Sequence, residues 1–591
     1  MEHEPMKIPN RAIDTVRPLK VICAGAGISG ILTAIRLPQH VQKLSLTIYD
    51  KNKDLGGTWF ENKYPGVACD IPAHCYQLSF ESNKEWSEFY ASGPEILDYW
   101  RSVGKKYGVR KYMQLEREVL EARWHDDEAK WTVKIRNVQT GEVFEDSADV
   151  FISAIGILNK WKWPNVPGLH DFGGDLVHSA AWDTNFDYKG KDIALIGAGS
   201  TGIQILPKIQ PDVKHVDHYV RGSTWVATTI VGEEVQKRVP DGSNFQYTKE
   251  EIEEWKRNPE AYLKYRKAIE QSLQSAHKIT FRDSDAQKGA RQFFTQMMQE
   301  KLKSKPEVSK HMLPDFPPLC KRLTPGPGYL ESLIKDNVEV VIDPMEKVTR
   351  EGIQTRDGKL RKVDAIICAT GFDTTFTNRF PTYGKGGVKL GDKWKGFPST
   401  YIGITTDEFP NYFVFAGPNQ AMGAGNLLIL FERIAEYTAK ALSKMQTQQI
   451  RTMVPKARSV SNFTRFCESY FANTVFSLEC SSWYKANSKT GKVSALWPGS
   501  SLHAIKVMDN PRWEDFEYTY VDGEDFGWFG DGWAEGDREE VDRAYYLDPE
   551  NMDIPPGVTS GTVDPVYQST HVNGVNGLNG TNGTNAVNGV K

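Results

Sequence analysis

The chain lacks the long apolar runs, the positive charge excess and the leader segment that mark several protein classes. No run of about 18 apolar residues occurs, so no membrane span is expected. The net charge is −4, so we expect no nucleic-acid partner. The first residues carry no apolar secretory signal, and we therefore expect a cytoplasmic protein.

The cysteines also lack a recognisable spacing. The chain has 7 of them, with no C-x-x-C pair and no zinc-ligand pattern, so neither a metal site nor a redox-active dithiol is expected. The pair that lies closest in sequence is Cys69 and Cys75. In a reducing compartment such thiols are expected to be buried and free.

What is present is the composition of a soluble globular protein, with 39% hydrophobic and 25% charged residues. A length of 591 residues exceeds what one hydrophobic core organises, so two or three domains are expected. The sequence leaves the oligomeric state open.

A dinucleotide-binding pattern opens the chain. Gly25, Gly27 and Gly30 form a G-x-G-x-x-G loop, in which the glycines permit the tight turn, the approach of a pyrophosphate and close helix–strand packing. Asp50 follows the loop at the sequence spacing where a carboxylate can accept hydrogen bonds from ribose hydroxyls. The predicted order of strand, helix and strand around the loop is Leu19–Ala24, Ile31–Leu37 and Leu44–Tyr49.

The pattern recurs in the middle of the chain. Gly197, Gly199 and Gly202 form a second loop that includes Ser200 and Thr201. Arg221 stands where the first unit has its acid, and an arginine there can pair with a 2′-phosphate. We therefore expect FAD at the first loop and NADP(H) at the second. The predicted strands of this unit are 193–196, 216–220 and 363–369.

Between the loops lies the pattern F-x-G-x-x-x-H-x-x-x-W-D over residues 172–183. Its defining positions are Phe172, Gly174, His178 and Trp182. With the two glycine loops, this segment resembles the type I Baeyer–Villiger monooxygenases, which are flavoenzymes that insert oxygen next to a ketone. Asp70-Ile71-Pro72 and the segment 324–329 resemble the fungal members that act on polycyclic or terpenoid ketones.

The resemblance assigns further residues. It implies a catalytic role for Arg322, with Asp70 as the partner that holds it, and a contact of Lys321 with the NADP phosphate. His178 is expected to couple domain motion to catalysis rather than to act as a general base. Trp483 either closes on NADP or packs in a core. The residues implied to contact FAD or the nearby nicotinamide are Thr58, Trp59, Asp70, Tyr76 and, through its backbone, Val119.

The expected fold class is α/β, with two Rossmann-like dinucleotide-binding domains, one for FAD and one for NADP, and a helical insertion. The charged stretch 249–305 is the centre of that insertion, and it is either a solvated lid or an element that shapes the substrate site. The expected parts are FAD-binding 1–165, NADP-binding 166–370 with the insertion at about 225–318, FAD-binding 371–510, an acidic aromatic extension 511–570 and a disordered Asn-Gly tail 571–591.

The resemblance implies an FAD- and NADPH-dependent enzyme whose partners are O2 and a small ketone. One oxygen atom would be inserted next to the carbonyl through a C4a-peroxyflavin, giving an ester or lactone from a bulky cyclic, terpenoid or polyketide ketone. The alternatives are an N- or S-oxygenating flavin monooxygenase and a flavin NADPH oxidase or scaffold without oxygenation. Trp182 and Asp183 in the pattern, together with Arg322, argue against the first. The flavin NADPH oxidase or scaffold is disfavoured because every residue expected for oxygenation is present in the sequence.

Overall fold

The computed structural model describes residues 6–227, 238–239, 243–377, 380–539 and 541–551. The predicted Asn-Gly tail and the end of the acidic aromatic extension lie outside the described residues. The chain divides into two units, one of residues 16–525 and one formed by the two terminal segments, 1–15 and 526–591.

Five parallel strands form a sheet around the first glycine loop. Leu19–Ala24 lies at its centre and pairs residue for residue with Leu44–Tyr49 on one side and with Val150–Ser153 on the other. The central strand is almost wholly buried, as expected for a parallel sheet covered on both faces. In spatial order the strands are Tyr412–Val414, Val150–Ser153, Leu19–Ala24, Leu44–Tyr49 and Met113–Gln114.

A second sheet of five parallel strands surrounds the second glycine loop. Its central strand, Asp192–Ile196, pairs with His215–Tyr219 and with Ala365–Cys368. The two sheets confirm the α/β class with two Rossmann-like units. In spatial order the strands are Val338–Val341, His215–Tyr219, Asp192–Ile196, Ala365–Cys368 and Asp175–His178.

Smaller sheets lie beside these two. A four-stranded sheet contains Thr382–Tyr383, Arg117–His125, Lys130–Asn137 and Val143–Ala148. Met345–Thr349, Gly352–Thr355 and Leu360–Lys362 form an antiparallel sheet. The two-stranded pairs are Val226–Ala227 with Thr324–Pro325 and Ile450–Pro455 with Phe516–Tyr520.

The described residues contain α-helices as well as strands. Among the described residues, no helix combines the length and apolar character that a membrane crossing requires. The α-helices are Ile28–His40, Thr58–Glu61, Gly93–Lys106, Ser200–Ile209, Lys249–Arg257, Pro259–Ser275, Asp285–Lys301, Pro306–Met312, Tyr329–Leu333, Leu390–Lys393, Leu427–Thr447, Ala457–Phe471, Ser501–Asp509 and Glu535–Arg538.

The four insertion helices in the described residues divide between the two domains. Thr248 starts the first of them with a capping box to Glu251, and Asn258 caps the second. Trp255 and Ile269, from these two helices, are buried in the hydrophobic core of the first domain. Phe294, from the third helix, is buried in the core of the second domain. The insertion therefore bridges the two nucleotide-binding domains.

The terminal unit joins the beginning of the described chain to its end. The Arg11 guanidinium donates to the Gly527 carbonyl at 2.6 Å, and the Ile13 amide donates to the Trp533 carbonyl at 2.9 Å. Several large side chains of this unit are exposed, among them Phe526, Phe529, Trp533, Tyr545 and Tyr546. These exposed rings are not part of a hydrophobic core within the described residues of this unit.

Two cysteines form a disulfide that the sequence did not indicate. Cys320 and Cys480 are bonded across a sequence separation of 160, with their Cα atoms 6.3 Å apart. The expectation of free thiols is therefore wrong for this pair, because cysteine spacing carries no information about partners brought together by the tertiary fold. Cys69 and Cys75 are buried and free, as expected.

Breaking this disulfide should destabilise the protein. Cys480→Ala removes a cross-link that closes a long loop, and we expect a loss of about 2–4 kcal/mol in the free energy of unfolding, measured by urea denaturation. Cys467→Ala is the matched control, because Cys467 is a buried free cysteine. In denatured wild-type protein, 5 thiols should react before reduction and 7 after it. Seven reactive thiols without reduction would contradict the bond.

Candidate active site

The two glycine loops have the same backbone geometry. Gly25 and Gly197 both have φ of 111°, a conformation that side chains rarely adopt. A Cβ atom at Gly25 would lie 2.4 Å from the carbonyl oxygen of Ala154, and one at Gly197 would lie 2.5 Å from that of Ala369. The first glycine of each loop is therefore required, because the loop passes close to the carbonyl that follows the neighbouring strand of the sheet.

The third glycine of each loop lets a helix begin close to the turn. A Cβ at Gly30 would lie 2.1 Å from the Gly25 carbonyl oxygen, and one at Gly202 would lie 1.9 Å from that of Gly197. The helices Ile28–His40 and Ser200–Ile209 start without a side-chain cap from the described residues. Their first N–H groups are therefore available to phosphate oxygens.

Asp50 lies at the end of the strand that follows the first loop. Its carboxylate accepts from the Ala26 amide at 2.7 Å and from the Asn52 amide at 2.8 Å, and burial raises the pKa of the carboxyl group. The two amide bonds occupy one lone pair on each oxygen, which leaves acceptor capacity for hydroxyl groups. The position and chemistry fit the ribose of a dinucleotide.

Arg221 and Lys321 form a pair of neighbouring cations at the second loop. Burial lowers the pKa of Lys321, and the positive charge of Arg221 lowers it further. The Lys321 ammonium donates to the Ser223 carbonyl at 3.3 Å and lies 4.6 Å from the centre of the Phe316 ring. Two cations held side by side favour a multiply charged anion such as a 2′-phosphate.

Asp70 and Arg322 are brought together by the fold, although 252 positions separate them in sequence. The guanidinium donates through Nε to Oδ2 at 2.5 Å and through Nη2 to Oδ1 at 2.7 Å. The negative charge of Asp70 raises the pKa of Arg322 well above its usual value. About a third of the arginine side chain, 36%, remains exposed, so N–H groups not used by Asp70 can meet another partner.

The segment that carries Arg322 is tethered on both sides. Before it, Cys320 is bonded to Cys480. After it, Thr324 pairs in a short strand with Val226, and its hydroxyl lies 2.8 Å from the hydroxyl of Ser200 in the second glycine loop. The arginine is thus held next to the loop expected to bind NADP(H).

The residues expected near the flavin follow the first loop. Trp59 is buried, its indole N–H donates to the Tyr76 hydroxyl at 3.0 Å, and the two rings meet edge to face. Thr58 is exposed at the start of a short helix. Val119 is half-buried on the strand Arg117–His125, where the strand register shifts.

Packing explains several positions of the pattern over residues 172–183. A Cβ at Gly174 would lie 2.2 Å from the Asp364 carbonyl oxygen, so a side chain has no room there. His178 is 1% exposed, stacks on Trp161 at 4.3 Å, and has its pKa lowered to about 4 by burial. His178 ends the outer strand of the second sheet, and a neutral, packed histidine there agrees with a structural role rather than with a general base. Trp182 is buried and meets the ring of Phe186 edge to face.

The structure adds two tyrosines that the sequence pattern did not mark. Tyr484 is fully buried beside Arg322. Burial raises the pKa of its phenol to about 12, although the positive charge of Arg322 acts in the opposite direction. Burial raises the pKa of the Tyr90 phenol well above its usual value, and the negative charge of nearby Asp70 raises it further. The Tyr90 hydroxyl is buried without a hydrogen-bond partner among the described residues. Trp483 is half-buried, with its ring 4.7 Å from that of Tyr484.

Comparison with known proteins agrees with this geometry. Residues 23–92 match the model of the NAD(P)-binding Rossmann-like domain. FAD-binding monooxygenase stcW of Emericella nidulans is 36% identical over 91% of this chain and 90% of its own length. A Baeyer–Villiger monooxygenase of Pseudomonas aeruginosa is 31% identical over 82% of this chain and 88% of its own length.

Solved structures extend the likeness to the fold. A cyclohexanone monooxygenase from Rhodococcus sp. Phi1 bound to NADP+ is 28% identical, with a TM-score of 0.73 over 85% of this chain and 100% of that one. An oxidized steroid monooxygenase bound to NADP is 25% identical, with a TM-score of 0.72 over 85% of this chain and 100% of that one. On the identity and coverage of these relatives, the chain belongs to the family of FAD-binding monooxygenases.

Proposed function

We propose that this flavin monooxygenase is a Baeyer–Villiger monooxygenase, which uses NADPH and O2 to insert one oxygen atom next to a ketone carbonyl and forms an ester or lactone. The observation that carries the proposal is the Asp70–Arg322 ion pair, held between two dinucleotide loops. Relatives named as a Baeyer–Villiger monooxygenase and as cyclohexanone monooxygenase support it.

The first site fits FAD. Gly25, Gly27 and Gly30 supply the pyrophosphate loop, and Asp50 supplies the ribose acceptor. Bound and reduced FAD supplies the activation of O2, which side chains cannot perform. The further residues proposed to contact FAD are Thr58, Trp59, Asp70, Tyr76 and Val119.

The second site fits NADPH. Arg221 and Lys321 supply the paired positive charge for the 2′-phosphate, which NADH lacks. The phosphate loop lies against the Arg322 segment through the Ser200–Thr324 hydrogen bond, so coenzyme and arginine are adjacent. The other residues proposed to bind NADPH are Gly197, Gly199, Thr201, Gly202 and Trp483.

Arg322 supplies a fixed positive charge to the reaction. A guanidinium does not lose its proton at working pH, whereas a buried lysine can become neutral. Asp70 orients the group, and the N–H groups that remain can stabilise the negative charge that develops on the attacked ketone oxygen. Oxygenation of a nitrogen or sulfur atom develops no such charge on a carbonyl oxygen and does not need this cation.

We infer a bulky cyclic ketone as the substrate class. The segments at Asp70-Ile71-Pro72 and 324–329 resemble those of enzymes for polycyclic ketones, and a steroid monooxygenase shares the fold over most of the chain. A panel of ketones that ranges from cyclohexanone to fused-ring ketones, with product identification by mass, tests this inference.

Arg322→Ala should separate NADPH oxidation from product formation. Removing a preorganised charge of this kind costs about 3–4 kcal/mol, so ester formation should fall by about two to three orders of magnitude. Binding of FAD should persist, and any remaining NADPH oxidation should appear as hydrogen peroxide. The measurement is product and peroxide formed per NADPH consumed.

The matched control is Arg433→Ala, which removes an arginine paired with Asp509, outside the proposed site. That variant should keep the wild-type ratio of product to NADPH. If Arg322→Ala forms product at near the wild-type rate, the proposed chemistry is wrong, and oxygenation of nitrogen or sulfur becomes the better explanation.

Arg221→Ala should weaken the preference for NADPH over NADH. Loss of one charge-assisted contact costs about 1.5–3 kcal/mol, which corresponds to a rise of about ten- to a hundredfold in the KM for NADPH. The KM for NADH should change little, since NADH has no 2′-phosphate. Lys214→Ala is the control, because Lys214 precedes the strand His215–Tyr219, whereas Arg221 follows it. Lys214 pairs with Asp192 there. An equal rise for both coenzymes would refute the assignment of Arg221.

A further inference from the structure

The chain that enters the helical insertion pairs with a segment of the first domain. The Phe89 amide donates to the Phe245 carbonyl at 2.9 Å, and the Tyr247 amide donates to the Ser87 carbonyl at 2.9 Å. Residues 244–247 thus lie antiparallel to residues 87–90, with Glu88 and Gln246 as bridge partners. The Phe89 and Phe245 rings stack at 5.0 Å over this pairing.

The same segment pairs on its other side with the chain that carries Asp70. The Cys69 amide donates to the Ala91 carbonyl at 3.0 Å, and the Gly93 amide donates to the Val67 carbonyl at 2.8 Å. Ala68 and Ser92 are antiparallel bridge partners. Beyond Asp70, the Ala73 amide donates to the Phe89 carbonyl at 2.7 Å, so hydrogen bonds to residues 89–91 lie on both sides of Asp70 in the chain. Backbone hydrogen bonds therefore connect the insertion, through residues 87–92, to the segment that carries Asp70, the partner of Arg322.

The side chain of Asn244 fastens this arrangement at Tyr90. Its Oδ1 accepts from the Tyr90 amide at 2.9 Å, and its Nδ2 donates to the Tyr90 carbonyl at 3.1 Å and to Glu88 Oε2 at 2.6 Å. Both backbone polar groups of Tyr90 are thus bound by one side chain of the insertion. An asparagine suits this task because its amide offers an acceptor and two donors together.

We propose that Asn244 is a positioning residue for the Asp70–Arg322 pair, and that the helical insertion holds the Asp70 carboxylate in place rather than only covering the substrate. The inference rests on the proposed function of that pair. A catalytic group has to be held within about 0.5 Å of its productive position by its supporting contacts. Asn244 supplies such support through Tyr90, in the segment that is hydrogen-bonded to the chain on both sides of Asp70.

The direct test is amide hydrogen exchange in Asn244→Ala and in the matched control Asn258→Ala. Asn258 also belongs to the insertion, where it caps a helix by accepting from the Ala261 amide, and within the described residues its side chain bonds to its own helix region rather than to residues 87–92. Exchange of the peptide that spans residues 67–72 should rise about three- to tenfold in Asn244→Ala and stay unchanged in Asn258→Ala.

The functional test is the ratio of product to NADPH consumed, with a bulky cyclic ketone as substrate. Asn244→Ala should lower this ratio about three- to tenfold and leave anaerobic reduction of FAD by NADPH at its wild-type rate. In the background of Asp70→Ala, the second substitution should have no further effect on the ratio. Additive losses would show that Asn244 acts by general stability instead, which would overturn the proposal.

The two tests distinguish the inference from the function on which it rests. If wild-type protein forms no ester, the proposed function fails, while faster exchange of residues 67–72 would still show that Asn244 holds the Asp70 segment. If exchange of residues 67–72 is unchanged in Asn244→Ala, or rises equally in Asn258→Ala, the inference is overturned whatever product the enzyme forms.

Discussion

The ion pair between Asp70 and Arg322 is the constraint on which the arrangement of the site depends. Asp70 follows the first glycine loop and Arg322 lies beside the second, so their two hydrogen bonds connect the two parts of the chain that are proposed to bind the nucleotides. Partly buried charges lose hydration, and a pair of this kind is weak evidence of a contribution to stability. Its position at this junction fits the proposed role in catalysis, which requires one fixed positive charge.

Much of the fold could be predicted because parallel strands, buried on both faces, appear in the sequence as short apolar runs. Leu19–Ala24 and Leu44–Tyr49 have the bounds that their patterns predict. The glycines could be interpreted because each has a steric reason, and the structure shows it at Gly25 and Gly197. The pattern at residues 172–183 had no fold explanation in sequence, and Gly174 under the Asp364 carbonyl now supplies part of one.

The features that the sequence did not reveal are long-range pairings. The Cys320–Cys480 bond and the bonds of Asn244 to Tyr90 join residues separated by 160 and 154 positions. Local periodicity reports which face of an element is buried but not which distant segment covers it. The positions of the buried Tyr90 and Tyr484 hydroxyls near the ion pair could not be predicted either, because a sequence does not show which groups surround a tyrosine oxygen. Such contacts connect the insertion and the cross-linked loop to the charged pair.

Incubation with isotopically labelled O2, NADPH and a fused-ring ketone tests the central claim most directly. The account predicts an ester or lactone that contains one labelled oxygen atom in the newly formed C–O–C link, with one NADPH consumed for each product molecule. Labelled oxygen found only in hydrogen peroxide, or only on the nitrogen or sulfur atom of an added amine or sulfide, would contradict it.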